Sequence, residues 1–211
     1  MQFEKVFNNG IIYNFFQKAI HNKKADESIK DFFILPSAAK LAVCVLDIGC
    51  GPGTWVPYLL GTDYTGIDIN EGNILLAKKK YANFHNIKLI TGDVREYFCN
   101  QYNAENTFDI IFMRGVLHHL SKDIICSILP VILKLIKKNG VFRSCDPVYT
   151  KEQPGISKWV MSHDRGKYIL ELDDYLKLVK TYFPVVKYKI ETDLLRFPFP
   201  YPAIKCWGYL S

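Results

Sequence analysis

The chain contains no Cys-x-x-Cys pair. Its six cysteines, Cys44, Cys50, Cys99, Cys126, Cys145 and Cys206, stand singly, which excludes a zinc ribbon and a thioredoxin-type redox motif. Cys44, Cys126, Cys145 and Cys206 lie in apolar runs, where a reduced thiol acts as a small hydrophobe, so a reducing, cytoplasmic setting is expected. Apart from one adjacent pair, the histidines (His21, His85 and His163) are scattered without ligand spacing, and no metal site is expected. The longest apolar run, Ile124 to Leu133, is far too short to cross a bilayer, and Met1 to Lys5 opens neither a signal nor a transit peptide. A concentrated basic patch is also missing. The net charge of +6 is dispersed, and Lys78-Lys79-Lys80 reads as the solvated face of a helix, which argues against nucleic acid as a partner.

What is present suits one α/β domain over residues 1–211, as a monomer or homodimer. The 211 residues are 49% hydrophobic and 23% charged, enough to build a sizeable core. Residues 1–40 are aromatic-rich, with Phe7, Ile11, Ile12, Phe15, Phe16 and Ile20 at roughly helical spacing, and read as a helical lid. Strands then alternate with helices. Val43–Leu46, Tyr64–Ile69, Ile87–Thr91, Phe108–Met113 and Val141–Cys145 are the strands. The helices are Thr54–Leu60, one capped by Asn70, and a long one capped by Ser121, containing Pro130 and ending before Asn139-Gly140. This pattern predicts a parallel, doubly wound sheet with helices on both faces. The alternation lapses over 147–172, which reads as a substrate-covering insertion with a short helix near Ser157–Ser162. A helix from Asp173 to Phe183 and strands at Val185–Thr192 and Ala203–Leu210 close the chain.

The strongest motif is Val45-Leu46-Asp47-Ile48-Gly49-Cys50-Gly51-Pro52-Gly53, a buried strand running into alternating glycines. Glycine lets the backbone turn sharply and approach a ligand without a Cβ in the way. The spacing is not the G-x-G-x-x-G of dinucleotide folds, and an acid before the turn repels a pyrophosphate but suits a cationic ligand. Asp68, at the end of the second strand, suits a pair of ribose hydroxyls.

These residues resemble the class I S-adenosylmethionine-dependent methyltransferase superfamily, in particular small-molecule enzymes with an LDIGCGPG-type motif. The resemblance covers Val43 to about Asp146. It implies a Rossmann-like, mostly parallel seven-stranded sheet, S-adenosylmethionine as cofactor and S-adenosylhomocysteine as product. It also implies that Asp47, Gly49, Cys50, Gly51 and Gly53 meet the methionine part, Asp68 and Ile69 the ribose side, and Asp93 and Val94 the adenine. Met113 and Arg114, ending the fourth strand, would lie near the methyl donor. Lys137-Lys138-Asn139-Gly140 stands where the family has a proline-glycine turn.

In Gly115-Val116-Leu117-His118-His119-Leu120, a neutral imidazole is a candidate base, with His118 preferred over His119; packing of one ring is the alternative. Asp146, Tyr149, Asp164, Arg165 and Tyr168 are candidates for contacting a polar substrate, although an Asp164–Arg165 ion pair also explains part of this. The expected activity is methyl transfer to oxygen or nitrogen of a small polar molecule, such as a glycan precursor or secondary metabolite. RNA or protein methylation, and a non-catalytic cofactor-binding subunit, are the alternatives.

Overall fold

The computed structural model describes Phe32 and residues 43–99, 105–163, 166–192 and 201–211. The expected lid at 1–40 falls outside these residues except for Phe32, as do Asp164 and Arg165.

Five strands are parallel: β1 (Cys44–Ile48), β2 (Asp63–Asp68), β3 (Ile87–Thr91), β4 (Phe108–Arg114) and β5 (Ile136–Tyr149). The hairpin β7 (Val185–Glu191) and β8 (Ala203–Tyr209) completes the sheet in the order β3-β2-β1-β4-β5-β8-β7. β8 runs antiparallel between β5 and β7. A two-residue strand, β6 (Leu170–Glu171), pairs with the end of β5 outside this path. The strand order reverses between β1 and β4, so their carboxyl ends flank the crevice where ligands of such sheets collect.

Alternate residues of each strand feed two cores on opposite faces. Leu46, Ile48, Ile111, Met113 and Phe142 pack beneath α2 (Val94–Cys99), α3 (Lys122–Leu135) and α5 (Leu172–Tyr182). Val45, Ile110 and Phe112 pack with α1 (Glu71–Lys80) and Phe32. Phe32 is fully buried, its ring lying 5.6 Å from that of Phe112 and 6.3 Å from that of Trp207. Its carbonyl accepts from Arg143 Nη1 at 2.8 Å.

Both expected caps form. Asn70 accepts from the Asn73 N–H and Ser121 from the Ile124 N–H. Pro130 lies inside α3 and denies Cys126, four residues earlier, its helical partner. The Tyr182 hydroxyl of α5 reaches that carbonyl at 3.4 Å.

Two expectations change. No α-helix forms over Thr54–Leu60, where only one 3-10 turn, Val56–Tyr58, follows the glycines. Pro57 has no N–H to return to the Gly53 carbonyl, which instead accepts from the Tyr81 hydroxyl and the Val56 N–H. α3 also stops at Leu135 and passes directly into β5, with no turn at Asn139-Gly140. Lys137 is drawn to Asp109 of β4 at 2.8 Å. Gly140 lies so close to β4 that an added Cβ would fall 3.0 Å from the Asp109 carbonyl oxygen. The short helix of the insertion, α4, spans Gly155–Ser162. No helix among the described residues is long and apolar enough to cross a membrane.

Candidate active site

The glycine turn closes the carboxyl end of β1. Gly49, Gly51 and Gly53 all have positive φ, at 75°, 55° and 73°, a region in which a Cβ is strained. Two of them also admit neighbours. A Cβ on Gly49 would fall 2.5 Å from Val116 Cγ2, and one on Gly53 would fall 2.6 Å from the Tyr81 ring. At Gly51 no described atom lies within 4 Å of that position. Among the described residues the turn therefore packs against protein at its two ends and leaves room at its middle.

Asp68 ties this turn to β2. Its Oδ2 accepts from the Gly51 N–H at 2.8 Å and its Oδ1 from the Asn70 N–H at 2.8 Å. Each carboxylate oxygen keeps further acceptor capacity, and two such oxygens side by side match a vicinal diol. Ile69 beside it is 78% exposed, an apolar surface open to a planar group.

Asp47 is buried at the end of β1, where its Oδ2 accepts from the Tyr64 hydroxyl at 2.7 Å. Burial pushes this carboxyl up from 3.8 to about 6, opposed by the Tyr64 hydrogen bond. Arg114, ending β4, also favours its ionised form, while the guanidinium lies 3.8 Å from the Trp55 ring centroid. Burial holds the neighbouring Cys50 thiol protonated. Asp93 follows β3 and binds Arg95 through both oxygens, and this hydrogen bonding holds its carboxyl below the ordinary value. Val94 and Met113 are core side chains.

The histidine loop joins this cradle through Val116, the neighbour of Gly49. The two rings stand 4.0 Å apart, with His118 buried and His119 exposed. His118 Nδ1 lies 2.8 Å from Asp146 Oδ1, and the His118 N–H donates to the same oxygen at 3.3 Å. Asp146, a candidate substrate contact in the sequence, is buried and partners the histidine. Tyr168 is exposed, and its N–H donates to the His118 carbonyl at 3.0 Å. Tyr149 lies elsewhere on the edge, lining a cleft of about 500 Å³ with Thr150, Gln153, Glu171, Ile190 and Pro202. Among the described residues no group of His, Cys, Asp and Glu is arranged to hold a metal ion.

Sequence reasoning missed Tyr64, Trp55 and Gly166. Tyr64 is the one aromatic residue of β2 (Asp63–Asp68), which was the available signal for it; for the other two there was none. The open middle of the glycine turn, the diol-binding acid and the buried carboxylate together fit S-adenosylmethionine, whose amino acid end carries an ammonium group.

Residues 40–181 match a family described as a methyltransferase domain. The chain belongs to the class I S-adenosylmethionine-dependent methyltransferases. A curated relative, the mRNA cap guanine-N(7) methyltransferase of Schizosaccharomyces pombe, is 28% identical over 166 residues, covering 68% of this chain and 46% of that protein. This methyltransferase therefore spans about half the length of that relative. Its fold is shared with the YcgJ protein of Bacillus subtilis, at 15% identity and a TM-score of 0.66 over 89% of this chain and 98% of that one. The same holds for a phosphoethanolamine N-methyltransferase 2 of Haemonchus contortus, bound to phosphomonomethylethanolamine and S-adenosylhomocysteine, at 14% identity and a TM-score of 0.68 over 89% and 53% of the two chains.

Proposed function

We propose that this methyltransferase modifies an oxygen or nitrogen of a small polar molecule, of the size of a sugar precursor or a secondary metabolite. The observation that carries the size class is the enclosure of His118. The residue is only 9% exposed, its ring covered by the turn at Gly166 and Tyr168. A polymer needs an open groove at the reacting atom, whereas a small acceptor fits an enclosed one.

When bound, S-adenosylmethionine supplies an electrophilic methyl on a sulfonium and leaves as S-adenosylhomocysteine. The protein's part is binding and orientation. Asp47 faces the ammonium end of the amino acid, and Gly49, Cys50, Gly51 and Gly53 line its path. Asp68 holds the ribose hydroxyls, and Ile69, Asp93 and Val94 border the adenine. Arg114 and the main chain at Met113 border the reacting end. Holding donor and acceptor in line accounts for much of the acceleration in such displacements. His118, with His119 exposed beside it, is the candidate base, and Tyr149, Asp164, Arg165 and Tyr168 are the candidate acceptor contacts.

RNA methylation is the second reading, favoured by the cap-methylating relative. Titration calorimetry with S-adenosylmethionine tests the cofactor site: wild type is expected to bind and Asp68→Ala to lose binding. Absence of wild-type binding would sink the proposal. Transfer of radiolabelled methyl groups into pools of glycans, metabolites and RNA tests the acceptor class, and label appearing only in RNA would overturn the small-molecule reading.

A further inference from the structure

Asp93 is gripped by the residue two places on. Its Oδ1 accepts from the main-chain N–H of Arg95 at 2.8 Å and from Arg95 Nε at 2.9 Å. Its Oδ2 accepts from Nη2 and, at 3.2 Å, shares Nε. The main-chain bond serves the start of α2 and needs no other reason. The side-chain fork does. The two side chains are 24% and 37% exposed, and an ion pair so open to water contributes little to stability. Yet the guanidinium is fixed at its far end as well, where Nη1 donates to Ser127 Oγ of α3 at 2.9 Å. That hydroxyl is itself held, donating to the Ile124 carbonyl at 2.7 Å. Anchored on both sides, the planar fork leaves the Asp93 carboxylate one orientation.

What stays open on that carboxylate is narrow. Three N–H groups of Arg95 serve a carboxylate with about four acceptor positions, so one is left, on Oδ2. Hydrogen bonding to Arg95 holds the carboxyl below its ordinary value, so it stays ionised and can only accept. Its place in the fold adjoins the diol-binding acid. Asp68 pairs with Thr91 where β2 and β3 end, and the Gly92 N–H donates to the Asp68 carbonyl at 3.0 Å. Apart from its chain neighbours, no described atom lies within 4 Å of where a Cβ on Gly92 would stand. Ile69 lies exposed on the same edge. Asp93 therefore follows an open step of backbone beside the carboxylate that suits a ribose.

We propose that Arg95 is a positioning residue that holds Asp93 Oδ2 for the 6-amino group of the cofactor's adenine, so that the site selects a 6-amino over a 6-oxo purine. This rests on the S-adenosylmethionine reading above and adds a residue to it. The amino nitrogen of adenine donates, and an acceptor already fixed in place loses no side-chain freedom when it is met. Hypoxanthine presents a carbonyl oxygen at that position, whose lone pairs face an acceptor with no proton to offer. Ser127 acts at one remove, by fixing the guanidinium.

Titration calorimetry of the full chain with S-adenosylhomocysteine and with S-inosylhomocysteine, its 6-oxo counterpart, tests this. Wild type is expected to bind the adenosyl ligand about 10- to 100-fold more tightly. Arg95→Ala is expected to weaken S-adenosylhomocysteine about 10-fold and leave S-inosylhomocysteine unchanged. Arg95→Lys keeps the charge without the fork and should behave like Arg95→Ala. Ser127→Ala, on an exposed face, should narrow the preference less, and it carries the test where an Arg95 variant does not fold. In an Asp93→Ala background, Arg95→Ala should change neither affinity. Equal weakening of both ligands by Arg95→Ala would assign Arg95 to structure alone and overturn the proposal. A preference that survives both Arg95→Ala and Ser127→Ala would overturn it too. Failure of the wild type to bind either ligand refutes the S-adenosylmethionine reading and this proposal with it, whereas binding of both without preference refutes only the role of Arg95.

Discussion

The Tyr64 hydroxyl donates a 2.7 Å hydrogen bond to Asp47 Oδ2 in a place where both side chains are shut away from water. One hydrogen bond offsets only part of the desolvation, and the carboxyl stays near 6, well above its ordinary 3.8. An acid with a raised value in the folded chain binds protons that the unfolded chain has released. Its ionisation therefore costs stability at neutral pH, and the cost is relieved as pH falls from above 6 to below 4. About two pH units correspond to about 3 kcal/mol. Asp47→Asn, which keeps an acceptor for Tyr64, is expected to raise unfolding stability at pH 8 by up to that amount. The advantage should shrink to nothing near pH 4, and cofactor binding should be lost. Denaturant melts at several pH values, with calorimetry, check both.

The three turn glycines are expected to separate by what surrounds them. Gly51→Ala meets open space and incurs only the positive-φ penalty, about 1 kcal/mol. It should fold well and yet bind S-adenosylmethionine poorly. Gly49→Ala and Gly53→Ala add clashes with Val116 and Tyr81 and are expected to lose about 1 to 3 kcal/mol more. Thermal melts beside calorimetry distinguish the two patterns.

Tyr182 and Pro130 are coupled through a carbonyl that neither owns. Because Pro130 leaves the Cys126 oxygen without its helical donor, Tyr182→Phe is expected to cost about 1 kcal/mol. Pro130→Ala restores the N–H, stabilises α3, and should make Tyr182→Phe nearly silent. A double-mutant cycle measures the difference.

Gly166→Ala is expected to destabilise the chain by about 1 to 3 kcal/mol, because its Cβ overlaps the His118 imidazole. The same change in a His118→Ala background should cost little. Equal costs in both backgrounds would show that the ring is not what confines position 166.

Much of this was legible along the chain. The glycines and Asp68 are local punctuation around two strands, and the Asn70 and Ser121 caps lie within three residues of the N–H groups they serve. What escaped depends on registers between segments. Asp146 stands 28 residues from His118, and their meeting follows from β5 running on past Cys145, the partner of the last residue of β4. The failed helix at Thr54–Leu60 turned on Pro57 and on a hydroxyl from Tyr81, 28 residues beyond Gly53. Chain order likewise hid the insertion of β8 between β5 and β7, because a hairpin's later strand can sit on either side of the earlier one.

The backbone at Gly166 lying across the His118 ring has a consequence for how this chain can vary over time. A side chain at position 166 is penalised while an imidazole occupies 118, and the penalty is relieved once that ring is lost. The two positions therefore behave as one heritable unit. Among descendants of this sequence, glycine at 166 marks those that still carry the buried ring, and a larger residue there marks lineages in which the ring has gone or has turned to face another way.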